Sequence, residues 1–128
     1  NLKEIQRKRI EIWDCYHRLL SPLASEGFIS LPNIPFYSTN NAHMFYIVCN
    51  SLKDRTGLID FLLGKGIHSV FHYLSLHKSP YFDKKHEGEE LIYSDFYQDR
   101  LLRLPFFVGL NGHDIKFISD CIRDYFSK

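Results

Sequence analysis

A chain of 128 residues suits one domain and is long enough to bury a hydrophobic core without disulfides or metal. Sixteen basic residues against fifteen acidic ones leave a net charge of +1, which gives no electrostatic reason to expect nucleic acid or an anionic membrane as partner. Cys15, Cys49 and Cys121 are odd in number and form no C-x-x-C pair, which argues against a disulfide framework or zinc site and fits a reducing cytosol.

The chain opens Asn1-Leu2-Lys3-Glu4-Ile5, with neither a signal peptide nor an initiator methionine, the start expected of a trimmed chain, a fragment or a processed product. Ile5, Ile12, Trp13, Tyr16, Leu19 and Leu20 recur at helical spacing, which predicts a helix from Leu2 to Leu20 that stops at Pro22. Ser25 to Asn40 holds Pro32 and Pro35 with several small polar residues and reads as mostly loop, with a short edge strand over Phe28 to Leu31. Ala42 to Cys49 is a nearly continuous apolar run of strand length, the pattern of a strand covered on both faces. Ser51 and Asp54 are spaced to cap the following helix, whose stripe is Leu58, Ile59, Leu62 and Leu63, and Gly64 or Gly66 ends it.

Ile67 to Tyr73 reads as the next strand, with Ile67, Ser69, Phe71 and Tyr73 on one face and His68, Val70 and His72 on the other. A polar loop follows to Glu90. Ser94 is placed to cap a helix through Leu101, and Leu102 to Pro105 reads as a short strand stopped by proline. Asn111 and Asp114 open a last helix with the stripe Ile115, Ile118, Ile122 and Phe126. The expected fold is therefore an α/β (α+β) sandwich: a small sheet packed with helices, one long helix at each end. No apolar run approaches a membrane span.

His72, Tyr73 and His77 cluster at the end of a strand, where polar groups often face a cleft, although ordinary boundary residues with satisfied hydrogen bonds explain the pattern as well. His68 and His72 lie four apart, but on a strand that separates them by roughly 13 Å, too far for one zinc ion. Gly64-Lys65-Gly66 is too short for a phosphate loop, and no nucleophile elbow is present. Pattern alone yields a folded domain without an assigned chemistry.

Four segments in order resemble the DegT/DnrJ/EryC1/StrS sugar aminotransferases, which use pyridoxal phosphate. They are Asn41-Ala-His-Met-Phe-Tyr46, Gly66-Ile-His-Ser-Val-Phe-His-Tyr73 running on to Leu76-His77, Leu101-Leu-Arg-Leu-Pro-Phe106, and the closing helix. The likeness is strongest to the branch that aminates dTDP-4-keto-6-deoxy sugars for surface polysaccharide and lipopolysaccharide, the dTDP-4-amino-4,6-dideoxygalactose transaminases. It covers the whole chain but only about the last third of a family member.

The resemblance implies the small C-terminal domain of the type I pyridoxal-phosphate fold, residues 1–128, with 1–22 as an interdomain helix and the large cofactor domain absent. It implies a transaminase in the full-length protein, with glutamate as amino donor and a nucleotide sugar as acceptor, and an inactive fragment. No lysine here matches the Schiff-base context, so no catalytic, cofactor-binding or metal-binding residue is assigned. A cytoplasmic homodimer follows for the full-length enzyme, without nucleic acid or membrane.

Carried onto matching positions, the substrate contacts are His72, Tyr73 and His77, then His43 and Arg103, with Arg103 pairing with a phosphate or carboxylate. Ser75 stands where the family commonly has proline, which alters the aim of His77. Two other readings compete: a stand-alone, non-catalytic binding module of the same fold, and a hydrolase using Cys49 or Ser69 with a histidine.

Overall fold

The computed structural model describes residues 1–34, 40–71 and 92–127. Helix α1 (Leu2–Ser25) leads to strand β1 (Ile29–Ser30), β2 (Tyr46–Cys49), helix α2 (Leu52–Gly64), β3 (Val70–Phe71), α3 (Ile92–Arg100), β4 (Leu101–Arg103) and α4 (Gly112–Phe126). The strands form one sheet in the order β1-β2-β4-β3, and each of its pairings is antiparallel. This is an α+β arrangement.

Helix α1 does not stop before Pro22 as the sequence predicts. Proline lacks the N–H that would bond one turn back, but its own carbonyl still accepts from Glu26 N at 3.0 Å. Only one bond is lost, and the extra turn buries Leu23 beside Leu20. Burying a leucine contributes about 1.5–3 kcal/mol, enough to offset the missing bond.

Gly27 then ends the helix at φ 87°, with its N–H donating to Ala24 O and Phe28 N donating to Leu23 O. Gly66 closes α2 in the same way at φ 80°, with Gly66 N on Leu63 O and Ile67 N on Leu62 O. This paired-bond ending needs a left-handed residue, which selects Gly66 over Gly64.

The starts of the later helices follow their caps. Ser51 Oγ accepts from Asp54 N at 3.0 Å. Asn111 and Asp114 exchange side-chain and backbone bonds in a complete capping box. Ser94 is not a cap, because α3 begins two residues earlier at Ile92. Leu63, expected in the core, is 53% exposed, since α2 buries only Leu58 and Leu62 fully. The strands start later than expected: β2 at Tyr46 rather than Ala42, and β3 at Val70 rather than Ile67, with Tyr73, its expected end, outside the described residues.

Ladder partners present their side chains to the same face. Ile29, Cys49, Ile47 and Leu102 fall together on one face and are all buried. They join one core with Ile12, Tyr16 and Leu20 of α1, Leu58 and Leu62 of α2, and Ile115, Ile118 and Ile122 of α4. Phe45, fully buried just before β2, stacks on Tyr16 at 5.0 Å and meets the edge of Trp13 at 5.4 Å. The Tyr16 hydroxyl donates to Pro105 O at 2.7 Å, tying α1 to the chain leaving β4. Among the described residues no helix is long and apolar enough to cross a membrane.

Candidate functional site

The second face of the sheet is only partly covered. Tyr46 lies opposite Arg103, and Arg103 opposite Val70, so these three side chains form a row across β2, β4 and β3. Val48 and Leu101, further along this face, are buried. The row itself is more open: Tyr46 and Arg103 are half-buried and Val70 is 52% exposed. Helix α3 packs against β2 and brings Tyr97 near enough to act on Tyr46. Burial first, and then Tyr97, push the Tyr46 hydroxyl above the ordinary tyrosine range, so it stays protonated and available as a donor.

Among the described residues the Arg103 guanidinium has no hydrogen-bond or ion-pair partner. Its nitrogens are not among the buried unpartnered atoms, so water can solvate them, and an anion that supplied two acceptor oxygens would match the planar fork. Tyr46 beside it adds a hydroxyl donor. The row is therefore suited to a phosphate or carboxylate presented from the open side.

His43 stands apart. Asn40 Oδ1 accepts from Ala42 N at 2.9 Å, and Ala42 takes a left-handed φ of 47°. Gln6 Nε2 of α1 donates to Asn41 O at 2.8 Å, which pins the turn to the helix. His43 is exposed, with Nδ1 2.8 Å from Asn41 Oδ1. That oxygen only accepts, so Nδ1 carries the proton and Nε2 of the neutral ring is left as an acceptor. His43 precedes Tyr46 by three residues and shares no hydrogen bond with Arg103.

His72, Tyr73 and His77 lie outside the described residues. Phe71 is the last described residue before them. Two of the five expected contacts are thus placed, Arg103 on the open face and His43 on a turn beyond the start of β2. Tyr46, Tyr97 and Val70 are not among the contacts expected from the sequence. Tyr46 stands inside one of the family-like segments, but its neighbour across the ladder depends on register, which no local pattern carries.

The hydrolase reading fails on geometry. Cys49 is buried, and desolvation pushes its thiol up to about 12, so it offers no thiolate near neutral pH. Ser69 Oγ is buried and has no hydrogen-bond partner among the described residues, so none of the described histidines activates it. Among the described residues no three His, Cys, Asp or Glu side chains gather closely enough to hold a metal ion.

The described lysines, Lys3, Lys8, Lys53, Lys65 and Lys116, are all exposed. A lysine that forms an imine with a cofactor is normally desolvated or held beside another cation. None of the described lysines has that setting.

Residues 1–123 match the model of the DegT/DnrJ/EryC1/StrS aminotransferase family. Among solved structures, the chain is similar to a DegT DnrJ EryC1 StrS aminotransferase from Brucella abortus, at 26% identity and TM-score 0.78, covering 96% of this chain and 31% of that one. It shares its fold with DesV of S. venezuelae, solved with a ketimine intermediate, at 22% identity and TM-score 0.84, covering 96% and 32%. The aminotransferase TlmJ from Streptoalloteichus hindustanus gives 20% identity and TM-score 0.83 over 95% and 32%. The chain thus spans about a third of the length of these solved relatives. With the match running over nearly all its residues, the chain belongs to the DegT/DnrJ/EryC1/StrS aminotransferase family.

Proposed function

We propose that this chain is the small C-terminal domain of a pyridoxal-phosphate-dependent nucleotide-sugar aminotransferase. The full-length enzyme moves an amino group from glutamate to the 4-keto carbon of a dTDP-linked 6-deoxy sugar, in the making of surface polysaccharide. The cofactor, held by the larger part of the polypeptide, supplies the electron sink for that transfer. On this reading the 128 residues alone are inactive, the full-length enzyme is a cytoplasmic homodimer, and residues 1–22 link the two domains.

The observation that carries the reading is Arg103. In an aminotransferase family member, a half-buried guanidinium without a partner among the described residues, with the Tyr46 hydroxyl next to it on the same sheet face, suits the anionic part of a substrate. Arg103 binds and orients that group, and Tyr46 donates to it. His43 accepts from a hydroxyl at the edge, and His72, Tyr73 and His77 act from the adjoining segment. The exposed Phe107 and Phe117, at 56% and 50%, favour a domain that packs against more protein over a stand-alone module.

The test is steady-state transamination by the full-length polypeptide with Arg103→Met. Losing a charge-assisted contact to a phosphate raises KM for the nucleotide sugar about tenfold or more, with KM for glutamate unchanged. An unchanged KM for the nucleotide sugar removes Arg103 from the site. Absence of any transamination by the wild-type enzyme refutes the function itself.

A further inference from the structure

Arg55 of α2 occupies a place that neither the family resemblance nor the Arg103 row accounts for. Its Nη1 donates to the carbonyl of Gln98, one residue beyond Tyr97 in α3. Its guanidinium carbon lies 5.4 Å from the centre of the Phe71 ring in β3. One planar group thus touches both elements that border the open face: β3, which supplies Val70, and α3, which supplies Tyr97. Its Nε is buried without a hydrogen-bond partner among the described residues, a cost that the bond to Gln98 O and the contact with Phe71 offset.

Both bordering elements leave side chains open: Val70 and Phe71 of β3 are each 52% exposed, and Phe96 and Tyr97 of α3 are exposed. Arg100 anchors its C-terminal end, with Nε donating to Asn50 O at 3.2 Å. Arg55 supplies a tie from α3 to α2 and, through the same guanidinium, to β3.

We propose that Arg55 is a positioning residue for the Arg103 face, setting the separation of α3 and β3 across which the substrate's anionic group approaches. It does not touch substrate. It acts by holding Tyr97 on one side and Val70 on the other. The role needs the planar fork of arginine, which stacks by its face while donating by its edge; a lysine ammonium does one or the other. The substrate part of this inference rests on the function proposed above, whereas the α3–β3 bridge does not.

Two measurements on full-length Arg55→Lys and Arg55→Met test it. In hydrogen exchange, both variants should speed exchange of α3 amides around Gln98 about tenfold, with α4 unchanged. In kinetics, both should raise KM for the nucleotide sugar several-fold more than they lower kcat, with lysine failing to rescue. Wild-type exchange in α3 overturns the bridge. Faster exchange with an unchanged KM overturns the positioning role. If the wild-type enzyme does not transaminate nucleotide sugars, the proposed function fails together with the substrate role, and the exchange arm still decides the bridge.

Discussion

Replacing Gly57 by alanine sets two physical effects against each other. Gly57 lies in the middle of α2, where alanine is normally favoured over glycine by about 1 kcal/mol. A Cβ built there, however, would sit 2.2 Å from Tyr125 Oη, 3.1 Å from Cζ and 3.4 Å from Cε1. The ring must retreat by roughly 1–1.5 Å to reach ordinary contact. Moving it disturbs its packing: Tyr125 is half-buried, with ring centres 5.7 Å from Phe61 and 5.1 Å from Phe126.

Forcing a packed group aside costs about 1–3 kcal/mol, so steric strain outweighs propensity and Gly57→Ala destabilises by about 1 kcal/mol net. Urea unfolding reads this as a lower midpoint at constant slope. Tyr125→Phe removes the offending oxygen, leaving Cζ as the nearest atom. The double variant should therefore recover about 1–2 kcal/mol relative to additivity. A Gly57→Ala protein more stable than wild type, or strictly additive behaviour with Tyr125→Phe, would refute the claim that α2 and α4 meet through this contact.

Three other outcomes are expected. Tyr16→Phe removes the bond to Pro105 O and should cost about 1–2 kcal/mol in the same unfolding assay, although the ring still fills its site against Phe45. Asn111→Ala removes the cap of α4 and should cost about 1 kcal/mol, with Asn111→Ser nearly neutral. The buried thiol makes stability depend on alkaline pH. Cys49 ordinarily ionises near 9.0 and in the fold near 12, so the unfolded chain releases its proton first. Its contribution is intact below pH 9.0 and falls as pH rises toward 12, by at most about 1.4 kcal/mol per unit. Cys49→Ala should flatten that part of the slope, while Tyr16, Tyr46, Cys121 and Tyr125, also raised by burial, keep the rest. An unchanged slope between those limits would mean that the thiol is hydrated.

Much of the fold is local, and for that reason legible in the residues. The N-caps Ser51 and Asn111 need only a side-chain oxygen and an N–H three residues on. The glycine ending of α2 needs only a residue that tolerates positive φ. The stripes of α1 and α4 follow from helical period alone. Local rules mislead where tertiary packing overrides them. Proline at position 22 is a stop signal in isolation, yet burying Leu23 carries α1 one turn past it. Leu63 fits the apolar stripe of α2, but no element covers it among the described residues. Ser94 has a cap's chemistry and lies inside a helix.

The candidate site divides along the same line. Local pattern is enough to show that Arg103 ends a short strand before proline, that the motifs resemble those of sugar aminotransferases, and that Cys49 sits in an apolar run. Packing was needed to stand Arg103 between Tyr46 and Val70 on an open face, to bury Cys49 too deeply to react, and to bring Arg55 within reach of both α3 and β3. The physical reason is range. Caps, turns and helical stripes involve residues within a few positions of one another, whereas strand register and helix packing join residues tens of positions apart. Those distant contacts are set by how the whole core closes.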